Sequence, residues 1–137
     1  MANKRTYIVY FVLIALNFCL LFSSCNNDER FPGQKTVTYD VNAADKPMVI
    51  NILENDKRYL SCVVTLDITN KADIKLLSEK NHWIRDTVIE ICRSKNLEEL
   101  QSADIMEELG KDIAEAISEQ FSINSIYKVS FPTFYLN

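Results

Sequence analysis

The side chains of this chain that are suited to catalysis or metal binding are one histidine, four cysteines and 19 acidic residues. His82 is the only histidine, and no cysteine or acidic residues stand around it at the spacing of metal ligands. A zinc site, or a nucleophile paired with its base, requires such partners. We therefore expect His82 to lie at the surface or at a helix end. We predict no metal site, no cofactor and no enzyme activity.

The acidic residues include two adjacent pairs, Glu98-Glu99 and Glu107-Glu108. Both pairs fall in segments predicted to be helical, where charged residues usually form the solvated face. The apolar surroundings that tune a carboxyl group for acid–base catalysis do not accompany them. The chain has only two glycines, and they are isolated, so a phosphate-binding loop is also excluded.

Three of the four cysteines have simple structural interpretations. Cys19 lies inside an apolar run and is another hydrophobic residue there. Cys62 falls on the apolar face of a predicted strand and Cys92 near the end of a predicted helix, so both are expected to be buried thiols. We favour free thiols, although an oxidising compartment permits a disulfide if their Cβ atoms are close. Cys25 remains as the candidate for covalent chemistry.

An apolar run at residues 7–22 dominates the N-terminus, with Asn17 as its one polar interruption. Lys4 and Arg5 precede it, and no acidic residue occurs before Asp28. This charge asymmetry predicts a cytoplasmic N-terminus and a remainder that lies across the membrane. We expect localisation to the inner (cytoplasmic) membrane, with the folded domain outside the cytoplasm.

Two kinds of tether fit residues 1–25. The apolar run is close to the lower limit of roughly 17 to 25 residues for a spanning helix, so a retained anchor is one alternative. Residues 22–25, Phe-Ser-Ser-Cys, resemble the cleavage box of bacterial lipoprotein precursors, in which the cysteine becomes lipidated. Phe22 stands where such boxes usually carry leucine. The alternatives are a single-pass anchor and a lipoprotein modified at Cys25.

Residues 26–46 hold Pro32, one of the two glycines and few aliphatic side chains, which predicts a flexible linker. Without residues 1–25, 13 basic residues remain against 19 acidic ones, a net charge of −6. An acidic domain is a poor ligand for nucleic acid, so no nucleic-acid partner is expected.

Residues 47–137 carry the patterns of one small α/β (α+β) domain. Apolar residues alternate over residues 59–69 and then recur every three or four positions over residues 72–93. Pro132 in the terminal run predicts an edge strand or a bulge. The expected order is β-β-α-α-β: strands at 47–53 and 59–69, a helix at 72–93, a short turn at 97–100, a helix from Ser102 or Ala103, and a strand at 123–136.

Three segments together resemble the FliL family of flagellar basal body-associated proteins. They are RYLSCVVTLDI, IRDTVIEICRSKNLEEL and the terminal SIYKVSFPTFYLN. The middle segment carries the most specific features: an Arg85-Asp86 pair on a helix, a Ser-Lys turn, and a short leucine-containing helix. The resemblance extends from about residue 46 to the C-terminus.

The resemblance implies a fold similar to the stomatin and prohibitin core, and a role in motility and chemotaxis. Family members are expected to form an oligomeric ring beside the flagellar stator units and to favour their active, torque-generating state. Arg85 and Asp86 are then candidate partner contacts, against the simpler interpretation that they belong to a solvated helix face. The alternative function is that of a generic envelope lipoprotein serving as a protein interaction module.

The aromatic residues of the terminal strand have two interpretations as well. Phe131, Phe134 and Tyr135 either extend pairing between subunits of a ring or fill the core of their own domain. We favour the second interpretation.

Overall fold

The computed structural model describes residue 33 and residues 35–42, 46–52 and 58–137. The predicted anchor or signal peptide at residues 1–25, and Cys25 with it, lies outside the described residues. Within the part that is described, no helix combines the length and hydropathy needed to cross a membrane.

The described residues form a mixed α/β domain with an antiparallel sheet and helices on one of its faces. β3 is the central strand, with β4 along one side and with β1 and β2 end to end along the other. The strands are β1 Val37–Asp40, β2 Met48–Asn51, β3 Tyr59–Ile68 and β4 Ile126–Leu136, and the helices are α1 Asp73–Glu79, α2 Asn81–Ser94, α3 Leu97–Leu100 and α4 Ile105–Phe121.

The alternation of β3 sets the two faces of the sheet. Its even-numbered side chains are fully buried and its odd-numbered ones only half-buried. Successive side chains of a strand point to opposite faces, so one face of β3 belongs wholly to the core. The buried members are Leu60, Cys62, Val64, Leu66 and Ile68, and they pack with Leu77, Ile84, Val88, Leu109, Ile113 and Ile117 of the helices.

β1 is a strand that the sequence did not predict, and it lies inside the range 26–46 assigned to a linker. Val37 and Tyr39 point to the core face, opposite Ile68 and Leu66, while Thr38 and Asp40 point outward. The Tyr39 hydroxyl donates to the Leu77 carbonyl oxygen at 3.2 Å. A strand of four residues is too short to show its alternation among polar neighbours. The ordered domain therefore begins ahead of residue 47.

Asn42 joins β1 to β2 along β3. Its side-chain Nδ2 donates to the carbonyl oxygens of Lys46 (2.8 Å) and Cys62 (3.3 Å), and its Oδ1 accepts from the Val64 N–H at 2.9 Å. The side chain thus pairs with β3 where neither strand's backbone does. Only 4% of Asn42 is exposed, and both its amide nitrogen and its amide oxygen are hydrogen-bonded.

The predicted helix at 72–93 is two helices. Lys80 leaves helical geometry, with φ −103° and ψ 13°, so α1 ends and α2 begins at this residue. The apolar spacing continues across the break, which is why the sequence suggested one helix. Asn81 is half-buried and accepts a hydrogen bond from the Tyr39 hydroxyl at 3.0 Å.

The short turn at 97–100 is α3, and Asn96 caps its start. Asn96 Oδ1 accepts from the Glu99 N–H at 2.8 Å, and Glu99 Oε2 accepts from the Asn96 N–H at 2.7 Å. This reciprocal pair is a capping box, which satisfies two backbone donors at once.

β4 has both features predicted from Pro132. Among the described strands it pairs with β3 alone, and its register shifts between the partners of Val63 and Thr65, the stretch that contains Pro132. Phe131 and Phe134 pack against the core with their rings edge to face at 5.7 Å. Two of the three terminal aromatics therefore fill their own domain, whereas Tyr135 is 57% exposed.

Candidate interaction surface

Catalytic or metal-binding groups do not converge among the described residues. No group of three histidine, cysteine or acidic side chains there is placed to hold a metal ion. The acidic pairs Glu98-Glu99 and Glu107-Glu108 are exposed, as expected for a solvated helix face. His82 is also exposed, with its ring 5.1 Å from that of Trp83.

Arg85 and Asp86 lie in the second turn of α2. Asp86 is exposed and Arg85 is half-buried on the flank next to it. In the described part of the chain, neither side chain has a hydrogen bond or an ion pair. Both charges are thus available for an external contact, and that role remains a prediction.

The outer side of α2 extends this surface toward the end of the helix. Asp86, Ile89, Glu90, Arg93 and Ser94 line a shallow depression there. Their spacing of three and four residues places them on one side of the helix. We call these five residues, together with Arg85 and Trp83, the α2 surface.

Trp83 belongs to this surface and was missed from the sequence. It is the single tryptophan of the chain, and 51% of it is exposed. A signal for it was available: Ile84, Val88 and Ile91 define the apolar face of α2, and Trp83 falls outside their spacing. Exposed tryptophan is unusual because burial of so large a side chain is favourable, and it is enriched among the residues that dominate binding.

The position of α2 is fixed by polar contacts with α4. Lys95 Nζ lies 2.6 Å from Glu108 Oε1 and 3.0 Å from Asp112 Oδ2. The hydrogen bond to Glu108, which has the larger effect, and the one to Asp112 raise the pKa of Lys95. In the middle of α2, Thr87 Oγ1 lies 3.1 Å from Gln120 Oε1. The α2 surface is thereby presented on a supported helix.

α4 adds negative charge beside this surface. Glu107, Glu115 and Glu119 are exposed along it. Lys111 pairs with Glu107 at 2.9 Å, and this hydrogen bond lowers the pKa of the Glu107 carboxyl. The solvent side of the helical layer is accordingly acidic, with an aromatic side chain at one end.

The sheet has a second exposed surface on the side away from the described helices. Val49 of β2 and Tyr135 of β4 flank Ser61 in one row across three strands, and they are 63% and 57% exposed. Val63 and Thr133 form the next row. These five residues, which we call the open-face patch, are uncharged.

Cys62 and Cys92 are both buried and are free thiols, as favoured from the sequence. Cys62 lies in β3 and Cys92 in the last turn of α2. Interaction with the Cys92 side chain lowers the pKa of the Cys62 thiol. The same interaction raises the pKa of Cys92, and burial raises the pKa of Cys92 further.

These observations describe a small mixed α/β domain whose candidate contacts lie on exposed surfaces. The family model of the flagellar basal body-associated protein FliL matches residues 42–136. The chain therefore belongs to the FliL family. The match ends at the last residue of β4 and begins at Asn42, so it excludes β1.

A curated relative agrees with this family. The chain is 26% identical over 91 residues to the flagellar protein FliL of Aquifex aeolicus (strain VF5). The aligned region covers 66% of this chain and 56% of the relative. The chain thus spans a little over half the length of the curated relative that it matches.

Proposed function

We propose that this chain supports the stator units of the flagellar motor in their active, torque-generating state, in motility and chemotaxis. The observation that carries the proposal is the FliL family match, which covers the domain from Asn42 to Leu136. In this proposal, residues 1–25 tether the chain to the inner membrane by a retained helix or by lipid on Cys25. The domain then stands outside the cytoplasm at the basal body.

The α2 surface is the proposed stator contact. Trp83 supplies a large apolar side chain that a partner can bury, and Arg85 and Asp86 supply charges without partners in the described part of the domain. Tryptophan and arginine are enriched among residues that dominate binding energy. The Lys95 contacts with α4 favour binding, because a helix already held in place loses little freedom in a complex.

The mechanism is a shift in population. A ligand changes a conformational equilibrium only by the difference between its affinities for the two states. Support of an active stator therefore requires that the α2 surface fit the active arrangement better than the inactive one. No covalent step is needed.

Self-association into a ring is part of the proposal, and the open-face patch is its proposed contact. Two copies carry the same charge, so facing acidic helical layers repel each other. The uncharged patch around Ser61 imposes no such repulsion. We also propose that the sheet with helices on one face shares the arrangement of the stomatin and prohibitin core.

The second candidate is a generic envelope lipoprotein that serves as an interaction module. The Phe-Ser-Ser-Cys sequence that ends in Cys25 favours it. Such a protein uses the same surfaces to bind a partner that is not part of the motor.

The test is swimming speed under rising viscous load in cells that lack the chain and in cells that regain it intact or altered. We expect deletion to reduce speed most at high load, and Trp83→Ala with Arg85→Glu to restore only part of it. Lys75→Glu, an equal charge change on exposed α1, is the matched control and restores full speed.

Each outcome separates the alternatives. Unchanged motility on deletion at every load contradicts the motor role and favours the interaction module. A deletion defect that the α2 variants fully restore leaves the motor role in place and removes the α2 surface from it. Failure of Cys25→Ala to restore motility favours a lipid tether, whereas full restoration favours a retained helix.

A further inference from the structure

β1 reaches the helical layer through one side chain. Tyr39 points to the core face of the sheet, opposite Leu66 of β3, and its ring is half-buried against the core. Its hydroxyl lies 3.2 Å from the Leu77 carbonyl oxygen and 3.0 Å from Asn81 Oδ1. These two acceptors belong to different helices, Leu77 to α1 and Asn81 to α2. One hydroxyl group therefore ties the first strand of the domain to the junction between α1 and α2.

The Leu77 carbonyl group needs this donor because the helix is interrupted beside it. In an α-helix each carbonyl oxygen accepts from the N–H four residues further along. Lys80 still donates to the Leu76 carbonyl oxygen at 3.0 Å, but in the described structure the Asn81 N–H does not donate to Leu77. The last carbonyl groups of a helix require other partners. The Tyr39 hydroxyl supplies that partner from another element of the fold.

The alternative to this break is one continuous helix. Leu77 and Ile84 are fully buried on either side of the break, and their separation of seven residues is close to two turns of an unbroken helix. A helix that runs without interruption over residues 73–94 therefore buries the same apolar face. In that helix the Asn81 N–H takes the place of the Tyr39 hydroxyl on the Leu77 carbonyl oxygen.

We propose that docking of β1 on β3 controls the α2 surface, because the Tyr39 hydroxyl holds the break between α1 and α2. Trp83 lies two residues after Asn81 in the first turn of α2, and Arg85 lies in the next turn. With β1 docked, the break fixes the direction in which these two side chains leave the domain. With β1 undocked, α1 and α2 join, and both side chains change direction relative to α4. Control of partner binding in this way rests on the proposed function, in which the α2 surface is the contact.

β1 is suited to undock because its attachment is short. It pairs with β3 over four residues, and none of the four is fully buried. β2 is equally short, but it buries Met48 and Ile50 in the core. Undocking of β1 therefore removes only the partial burial of Val37 and Tyr39, so it opposes less of the apolar driving force than release of β2.

The test measures hydrogen exchange at the Asn81 amide by NMR, in the full-length chain in detergent. Tyr39→Phe keeps the ring and removes the hydroxyl. We expect exchange at Asn81 to slow by about tenfold, because its N–H becomes hydrogen-bonded to Leu77. Thr38→Val is the matched control, since it removes an outward-facing hydroxyl of the same strand, and it leaves the rate unchanged. Simple destabilisation speeds exchange, so an unchanged or faster rate in Tyr39→Phe overturns the proposal.

A second variant undocks β1 without a change at Tyr39. Val37→Asp places a charge on the core-facing side of β1 and should slow exchange at Asn81 as much as Tyr39→Phe does. The two changes together should add nothing further, because they break the same link. The fluorescence of Trp83, the single tryptophan of the chain, should shift in both variants and not in Thr38→Val. Fully additive effects on exchange, or unchanged emission in both variants, overturn the proposal.

Swimming speed under viscous load separates this proposal from the proposed function. Tyr39→Phe should lower speed at high load, whereas Thr38→Val should not. Slowed exchange with full speed in Tyr39→Phe overturns control of the α2 surface, and the motor role stands if Trp83→Ala with Arg85→Glu lowers speed. Unchanged speed on deletion of the chain overturns the motor role, and the exchange rates still decide whether β1 holds the break.

Discussion

The two faces of the sheet differ in what they do, although one strand supplies the centre of both. On the covered face, all five β3 side chains are fully buried. On the open face, the alternate residues of β3 are half-buried, and Val49 and Tyr135 beside them are more than half exposed. The covered face holds the domain together, and the open face remains available for contact. A single alternation in the sequence encodes both.

Leu66→Ala should show the largest effect, because Leu66 is fully buried at the centre of the covered face. Removal of a buried leucine side chain costs about 2–5 kcal/mol through lost apolar burial and the cavity that remains. Urea denaturation followed by circular dichroism measures this change. Thr65→Ala, its open-face neighbour on the same strand, should cost less than about 1 kcal/mol. Equal losses would contradict the division of the faces.

Asn42→Ala should show the next largest effect, a loss of about 2 kcal/mol in the free energy of unfolding, because it leaves the buried Val64 N–H without its acceptor. Thr38→Ala is the control, since Thr38 Oγ1 donates to Asp67 Oδ1 at an exposed position. We expect its effect to be about 0.5 kcal/mol or less. Comparable values for the two variants would show that the Asn42 side chain does not join β1 and β2.

Lys95→Met should cost about 1 kcal/mol near neutral pH, because it removes two ion pairs between helices. The pKa of Lys95 is raised by its pairing, so its contribution is complete below the unfolded pKa of about 10.4 and disappears as pH rises above that value. Burial, and then the charge of Asp40, raise the pKa of the Tyr39 hydroxyl, and this also makes the folded state less stable as pH rises. Denaturation between about pH 9 and 12 should show a constant difference between wild type and variant below about pH 10.4 and a shrinking one above it. A constant difference throughout that range would contradict the assignment.

Val49→Thr with Tyr135→Ser should show the smallest effect on folding, below about 0.5 kcal/mol, because both side chains are already in water. The same pair should weaken self-association, which sedimentation measures. Unchanged association would remove the open-face patch as the contact between copies.

Much of the sheet and its core followed from the sequence, because β3 and β4 are long enough for their patterns to be recognised. The irregularity at Pro132 followed from the chemistry of proline. β1 was not predicted, since four residues among polar neighbours contain too little alternation. The break at Lys80 was also hidden, because it changes the direction of the helix without changing the spacing of its apolar residues.

The surfaces were less accessible to prediction than the core. Arg85 and Asp86 were named from a family resemblance, and the structure shows only that their charges are available. Trp83 was overlooked although it falls outside the apolar spacing of Ile84, Val88 and Ile91.

The junction at Asn42 also governs how the domain bears mechanical load. Tension applied to the chain at Val37 reaches β1 before any other strand of the described residues. β1 runs antiparallel to β3, so a pull along the strand axis shears several hydrogen bonds together, while a sideways pull opens them one at a time. Once β1 peels away, the Asn42 amide bridge to Cys62 and Val64 is the next barrier. The amide is thus placed as a mechanical stop that keeps traction from reaching β2 and the core.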